Sequence, residues 1–324
     1  MSERYARQVI LPEVGAAGQA RLAAARVLVV GAGGLGCAVL PYLAAAGVGQ
    51  LTIVDPDRVE ESNLHRQPLY RTDEAGALKV AAARRALAAL NPGLAITALA
   101  QRLGPDNAAA LVGAADVVLD AADSFAVTYI LSDACRDLGK PLVSASVLGL
   151  QGYVGVFCGG APSYRAVFPE MPRAGGGCAQ AGVLGTAVGV IGTLQAHLAL
   201  AWLLGFTPSP LGRLLSVDFR TLHVGGFAFG SAAEPAGSAL AFIAPRDVTA
   251  ADLVIDLRTL GEAAVSPFPQ ALRIDVETLE HAPPPLPPAP RLVLCCRSGL
   301  RAWRAARALQ SRGHANVALI ALGE

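Results

Sequence analysis

One stretch, Val27-Leu-Val-Val-Gly31-Ala-Gly33-Gly-Leu-Gly36, constrains this chain more than any other. Aliphatic residues run straight into glycines at GxGxxG spacing, and the Ala/Leu-rich run from Cys37 to Ala46 carries no breaker except Pro41. The pattern predicts a strand, a tight turn and a helix. Glycine lets the backbone turn sharply and approach a phosphate, and the free N–H groups at the helix start then face an anion. Leu51-Thr-Ile-Val-Asp55 reads as a second buried strand, ending in an acid 19 residues after Gly36. Helices over 77–90 and 125–138 alternate with strands over 94–100, 116–120 and 141–146. That alternation predicts an α/β fold: a Rossmann-like, mostly parallel sheet with helices on both faces. A strand over 152–157, a helix over 181–206 and an antiparallel pair, 211–218 and 222–229, complete the first unit.

A chain of 324 residues has room for two domains. Residues 1–230 are predicted to form a nucleotide-binding domain, 231–247 a flexible linker rich in small residues, and 248–324 a short second α/β unit. A net charge of +1 argues against nucleic acid as a partner. The polar start, Met1 to Arg7, is not a signal peptide. Residues 181–206 hold no charged side chain and could span a bilayer by length, but glycines, Gln195 and His197 dilute them and no basic flank adjoins. A buried core helix is expected there, not a membrane span. The cysteines at 37, 135, 158, 178, 295 and 296 form no CxxC pair, so neither structural zinc nor a disulfide framework is expected, and a reduced, cytoplasmic setting fits.

Asp55 sits where a ribose-binding acid belongs, which suits NAD and ATP alike. The loop Glu60-Glu-Ser-Asn63-Leu-His-Arg66-Gln67 carries an arginine beside the expected phosphate turn, and Lys79, one of only two lysines in the chain, opens the next helix. Asp120 and Asp123 follow another strand, on the edge where open α/β sheets bind ligands. Cations neutralise charge developing on phosphoryl oxygens and a carboxylate can hold Mg²⁺, so the set suits nucleotidyl transfer. An NAD-dependent oxidoreductase would leave Arg66, Lys79 and Asp123 unexplained; each alone could also be a solvated surface charge.

Together, Arg4-Tyr-x-Arg7-Gln, the GxGGLG turn, Asn63-Leu-x-Arg66-Gln67, Lys79 and Asp120-x-x-Asp123 resemble the ubiquitin-activating-enzyme-like adenylyltransferases of the MoeB/ThiF/HesA family. The resemblance covers about residues 4–229. It implies that ATP and the C-terminal glycine of a small ubiquitin-like sulfur carrier ending in Gly-Gly form an acyl-adenylate, in molybdopterin or thiamine thiazole synthesis. It places Gly31, Gly33 and Gly36 at the ATP turn, Asp55 on the ribose, Asn63, Arg66 and Lys79 on the phosphates, and Asp123 on Mg²⁺. Arg7 would reach the ATP of the neighbouring subunit, so a homodimer is implied. The family's first zinc-binding CxxC would fall at Ser163-Tyr-Arg-Ala166, which holds no cysteine, and Ser124 stands where the family often has Asn. These departures leave open a non-catalytic carrier-binding protein on the same fold.

Cys178 lies in a glycine-rich stretch, Gly175-Gly-Gly-Cys178, and matches a cysteine that some members use to hold the acyl group. In the second unit, Cys296-Arg-Ser-Gly-Leu-Arg301 joins a strand to a helix, a setting that favours a thiolate. It resembles the active loop of rhodaneses, in which a cysteine carries a persulfide. A small α/β rhodanese-like domain, a sulfur donor and sulfurtransferase activity are the corresponding expectations. Cys295 with Arg301 offers the competing C-x5-R spacing of cysteine phosphatases, but Cys295 would still lie within the strand.

Overall fold

The structure is a computed structural model, and it describes residues 3–172, 182–235 and 240–323. Strand β1 (Arg26–Val30) is buried from Val27 onward, as a run of aliphatic residues covered on both faces must be. It pairs in parallel with β2 (Gln50–Val54) on one side and β4 (Val117–Asp120) on the other. Outside these lie β3 (Ala95–Leu99) and β5 (Pro141–Leu148), also parallel. Strands β6 (Gln151–Cys158), β7 (Arg213–Asp218) and β8 (His223–Ala228) extend the sheet antiparallel, in the order β3-β2-β1-β4-β5-β6-β7-β8. The chain therefore reverses its direction of winding between β1 and β4, which opens a crevice at their carboxyl ends.

Helices α1 (Ala6–Val9), α2 (Gly15–Ala24), α3 (Gly34–Ala46), α4 (Lys79–Leu90), α5 (Ala108–Gly113), α6 (Phe125–Asp137), α7 (Tyr164–Val167) and α8 (Gly185–Leu204) complete the first unit. Helix α8 replaces the predicted helix 181–206 and is long and apolar enough to cross a membrane by composition. Here it is packed as a core helix: a Cβ on Gly192 would meet the Ala38 Cβ at 2.7 Å and the Leu35 carbonyl at 2.8 Å. Gln195 of α8 is wholly buried and donates to the carbonyls of Asp120 and Val143, tying the helix to β4 and β5.

A second parallel sheet holds β9 (Ala241–Phe242), β10 (Leu253–Asp256), β11 (Leu272–Arg273), β12 (Leu292–Cys296) and β13 (Val317–Ala321), in the order β11-β10-β12-β13-β9. Helices α9 (Val276–His281) and α10 (Leu300–Gln310) belong to it. The tether predicted over 231–247 behaves differently where it is described: Ala241–Phe242 form an edge strand on β13, and Leu240 is 1% exposed. Apolar burial outweighs the flexible composition of this stretch. One apolar cluster runs through both units, joining Tyr129 and Ala126 of α6 to Trp303 and Ala306 of α10 and to Phe242. Arg165 is buried between them, paired with Asp133, bonded to the Leu240 carbonyl and stacked 4.7 Å over Tyr129 and 5.5 Å over Trp303.

Candidate active site

The three glycines of the turn do different work. Gly31 has φ +99°, and a Cβ there would lie 2.5 Å from the Ala121 carbonyl, so the turn sits directly against the loop after β4. A Cβ on Gly36 would lie 2.2 Å from the Gly31 carbonyl, so only glycine lets α3 start this close to β1. Gly33 faces open space: the nearest atom to its Cβ position is the Gln67 Nε2, at 3.7 Å. Gly33 and the first-turn N–H groups of α3 thus form the free surface of the turn, where a helix leaves its donors unpaired.

Asp55 ends beside this turn. Its Oδ2 accepts from the Ala32 N–H at 2.7 Å and its Oδ1 from the Asp57 N–H at 2.8 Å. Burial raises its carboxyl, opposed by these bonds and by the positive charge of Lys79. Lys79 is nearly buried and its Nζ donates to Asp57 at 2.9 Å. A short ladder holds the pair in register, with Lys79 N–H on the Asp57 carbonyl and Val59 N–H on the Ala77 carbonyl. Arg66 lies in the 3-10 turn Glu61–Arg66, where its guanidinium donates to Asn63 Oδ1 and meets His65 Nε2. Arg66 also borders the helix start, its carbonyl 3.4 Å from a Cβ placed on Gly34. Gln67, next to it, is 3% exposed and leaves a buried Oε1 without a partner. An open glycine turn with two cations beside it fits the phosphates of a nucleotide, and the buried Gln67 oxygen can take a bond only from a donor group.

Asp123 lies on the same edge, exposed, just before α6. Asp120 is different: it is fully interior and accepts from Thr128 Oγ1 (2.7 Å), Ser144 Oγ (2.9 Å) and the Ala122 N–H (3.3 Å). It shapes the loop that faces Gly31 and is itself closed to ligand. Burial pushes its carboxyl up to about 6, against the donors that favour its charge. A folded-state value above the ordinary one makes the folded chain bind the extra proton between the two, so this group stabilises most at low pH and its contribution is lost as pH rises through about 6. Thermal melts of the wild type and Asp120→Asn should therefore diverge in favour of the wild type as pH falls from about 7.5 to about 5. A difference that stays constant with pH would mean that Asp120 does not titrate in this range.

Arg7 is not brought to this site by its own chain. Its neighbours Tyr5 and Gln8 pack on Gly47 and the Ala46 carbonyl, at the far end of α3 from the turn. Thirteen residues of helix separate the two ends, about 20 Å. Cys178 lies outside the described residues. Cys296 stands at the end of β12, wholly buried, and its Sγ accepts from the N–H groups of Gly299 (3.1 Å) and Ala302 (3.4 Å). Gly299 (φ +86°) packs under the Phe242 ring and against Ala126 of α6, so the first unit covers this loop. At the position of the missing CxxC, Ser163 bonds Glu234 through both N–H and Oγ, and Arg165 pairs with Asp133. Among the described residues, no group of three or more His, Cys, Asp or Glu side chains could hold a metal ion. Tyr70, which sequence patterns do not single out, donates its hydroxyl to the Ala32 carbonyl at 2.6 Å.

The model of the ThiF family matches residues 5–236. The chain belongs to the ThiF family. Among its ThiF-family relatives, "Adenylyltransferase and sulfurtransferase MOCS3" of Bos taurus is 51% identical over 218 residues, 66% of this chain and 48% of that protein. "Sulfur carrier protein adenylyltransferase" of Thermus thermophilus is 46% identical over 235 residues, 68% of this chain and 87% of the relative. "SAMP-activating enzyme E1" of Haloferax volcanii is 42% identical over 218 residues, 67% of this chain and 81% of the relative. The chain thus spans about half the length of the bovine protein and most of the other two. Crystal structures of E. coli MccB share the fold, at a TM-score of 0.63 and 20% identity over 72% of each chain.

Proposed function

We propose that the first unit joins ATP to the C-terminal glycine carboxylate of a small ubiquitin-like sulfur carrier ending in Gly-Gly, making an acyl-adenylate and releasing pyrophosphate. The observation that carries this reading is the convergence at the β1/β4 crevice: an open Gly33 turn, Arg66 and Lys79 beside it, and Asp123 on the adjoining loop. Family membership favours adenylate chemistry over hydride transfer, and the names of the relatives support a sulfur carrier as the acceptor. Gly33 and the first turn of α3 would seat phosphate, Arg66 and Lys79 would neutralise it, and Asp55 would meet the ribose. Asp123, exposed at the edge, would hold Mg²⁺, which draws negative charge off the phosphates when bound. Arg7, remote from its own site, would act in that of a second copy, making the working form a homodimer. A reducing, cytoplasmic setting suits the free cysteines 37, 135, 158, 295 and 296. No structural zinc is part of this reading.

A second activity has an observation of its own. The Cys296 Sγ sits on two N–H groups at the head of α10, which suits a sulfur anion, so we infer that the second unit transfers sulfur onto the activated carrier. Exchange of labelled pyrophosphate into ATP, dependent on the carrier, tests the first reading. Asp123→Ala should abolish exchange, and Arg66→Ala or Lys79→Ala should lower it by roughly a hundredfold. Tight NAD binding with no exchange in the wild type would sink it.

A further inference from the structure

Ala32, between the first two glycines of the turn, has both of its backbone polar groups taken up inside the protein. Its N–H donates to Asp55 and its carbonyl accepts from Tyr70 at 2.6 Å, with the Cys37 thiol approaching the same oxygen at 3.7 Å. The Ala32 carbonyl and the Gly33 N–H share one planar peptide, so holding the carbonyl fixes where the Gly33 N–H points, and the Asp55 bond to the Ala32 N–H pins the peptide before it. Tyr70 is 5% exposed, and burial raises its hydroxyl far above the usual tyrosine range, so it remains a donor. Its own backbone N–H donates to the Gln67 carbonyl, at the end of the segment that carries Asn63 and Arg66. Tyr70 therefore touches both halves of the phosphate site: the glycine turn through its side chain and the arginine segment through its main chain.

We propose that Tyr70 is a positioning residue for nucleotide binding, acting through the Ala32 peptide to aim the anion-binding N–H groups and lock the Arg66 segment onto the turn. This rests on the reading that the turn binds ATP. It also gives Asp55 a second task, since its carboxylate holds the neighbouring peptide, on the other side of the Ala32 Cα.

Removing only the hydroxyl isolates the effect, because Tyr70→Phe keeps the ring in its packing. Titration calorimetry with ATP and Mg²⁺ should show Tyr70→Phe binding five- to tenfold more weakly than the wild type. In pyrophosphate exchange, KM for ATP should rise by the same factor while kcat stays within twofold. Hydrogen exchange over residues 31–36 should accelerate in the absence of nucleotide. The variant Asp55→Asn acts on the other backbone group of the same residue, so the double variant should lose at least threefold less affinity than the product of the single losses. A Tyr70→Phe protein that melts earlier yet binds ATP with unchanged affinity would overturn the proposal, as would strictly multiplicative losses. Failure of the wild type to bind ATP would overturn the proposed function instead.

Discussion

Gly36→Ala should melt well below the wild type and lose ATP binding altogether. The added methyl would stand 2.2 Å from the Gly31 carbonyl oxygen and 3.0 Å from the Gly31 carbonyl carbon. Both are backbone atoms, so no rotamer relieves the clash. Helix α3 would have to shift away from β1, and α3 is buried along Leu35, Val39, Leu40 and Leu43. Overpacking of this kind costs about 1–3 kcal/mol or more, and here it moves the anion-binding end of the helix as well. Gly33→Ala is the informative partner. Its methyl meets nothing closer than Gln67 Nε2 at 3.7 Å, but at φ −82° and ψ −146° the backbone lies off the ordinary extended region, so stability should fall modestly, well short of the Gly36→Ala loss, while ATP affinity falls beyond detection. Melting curves and calorimetry on the two variants separate packing from ligand. Equal losses of stability in both would show that the free surface of the turn lies elsewhere.

Trp303→Ala should destabilise both units together. Trp303 is 3% exposed, tilted 5.1 Å from the Tyr129 ring, flanked by Arg165 and Arg307, and bonded through its indole N–H to Glu170. Truncating such a buried aromatic costs about 3–5 kcal/mol. The loss also strips one cover from Arg165, whose charge is buried against Asp133. The Arg307–Glu170 pair at the rim is exposed and adds little. Urea unfolding followed by circular dichroism should show a markedly lower midpoint for the variant. The chain has only two tryptophans, Trp202 in α8 and Trp303 in α10, so Trp202→Phe and Trp303→Phe give one fluorescent reporter per unit. Their transitions should coincide. Two separated transitions would mean that the units are independent and that Trp303 supports only its own.

The parts legible in the sequence were those with a local signature. A strand running into spaced glycines announces its turn, and acids at strand ends announce the sheet edge, so Gly31, Asp55 and Asp123 could be placed from spacing alone. What escaped was decided by contacts across the chain. Nothing around Tyr70 reveals that its hydroxyl reaches Ala32, 38 residues earlier. Asp55 read as a free ribose acid, yet both its oxygens also hold backbone. Asp120 and Asp123 read alike, but one is sealed against hydroxyl groups and the other is exposed. The small residues after Gly230 read as a tether because composition carries no record of what Leu240 and Phe242 will meet.

The covering of Cys296 bears on reaction kinetics. A sulfur atom with no accessible surface, in a loop whose Gly299 packs against Phe242 and Ala126, cannot collide with a dissolved reagent. Its encounter with any donor, oxidant or alkylating probe must wait for a local opening. When closing outruns capture, the observed rate equals the intrinsic thiol rate multiplied by the open fraction. The half-life of Cys296 in a dilute alkylating reagent thus reads the fraction of time for which its cover stands open.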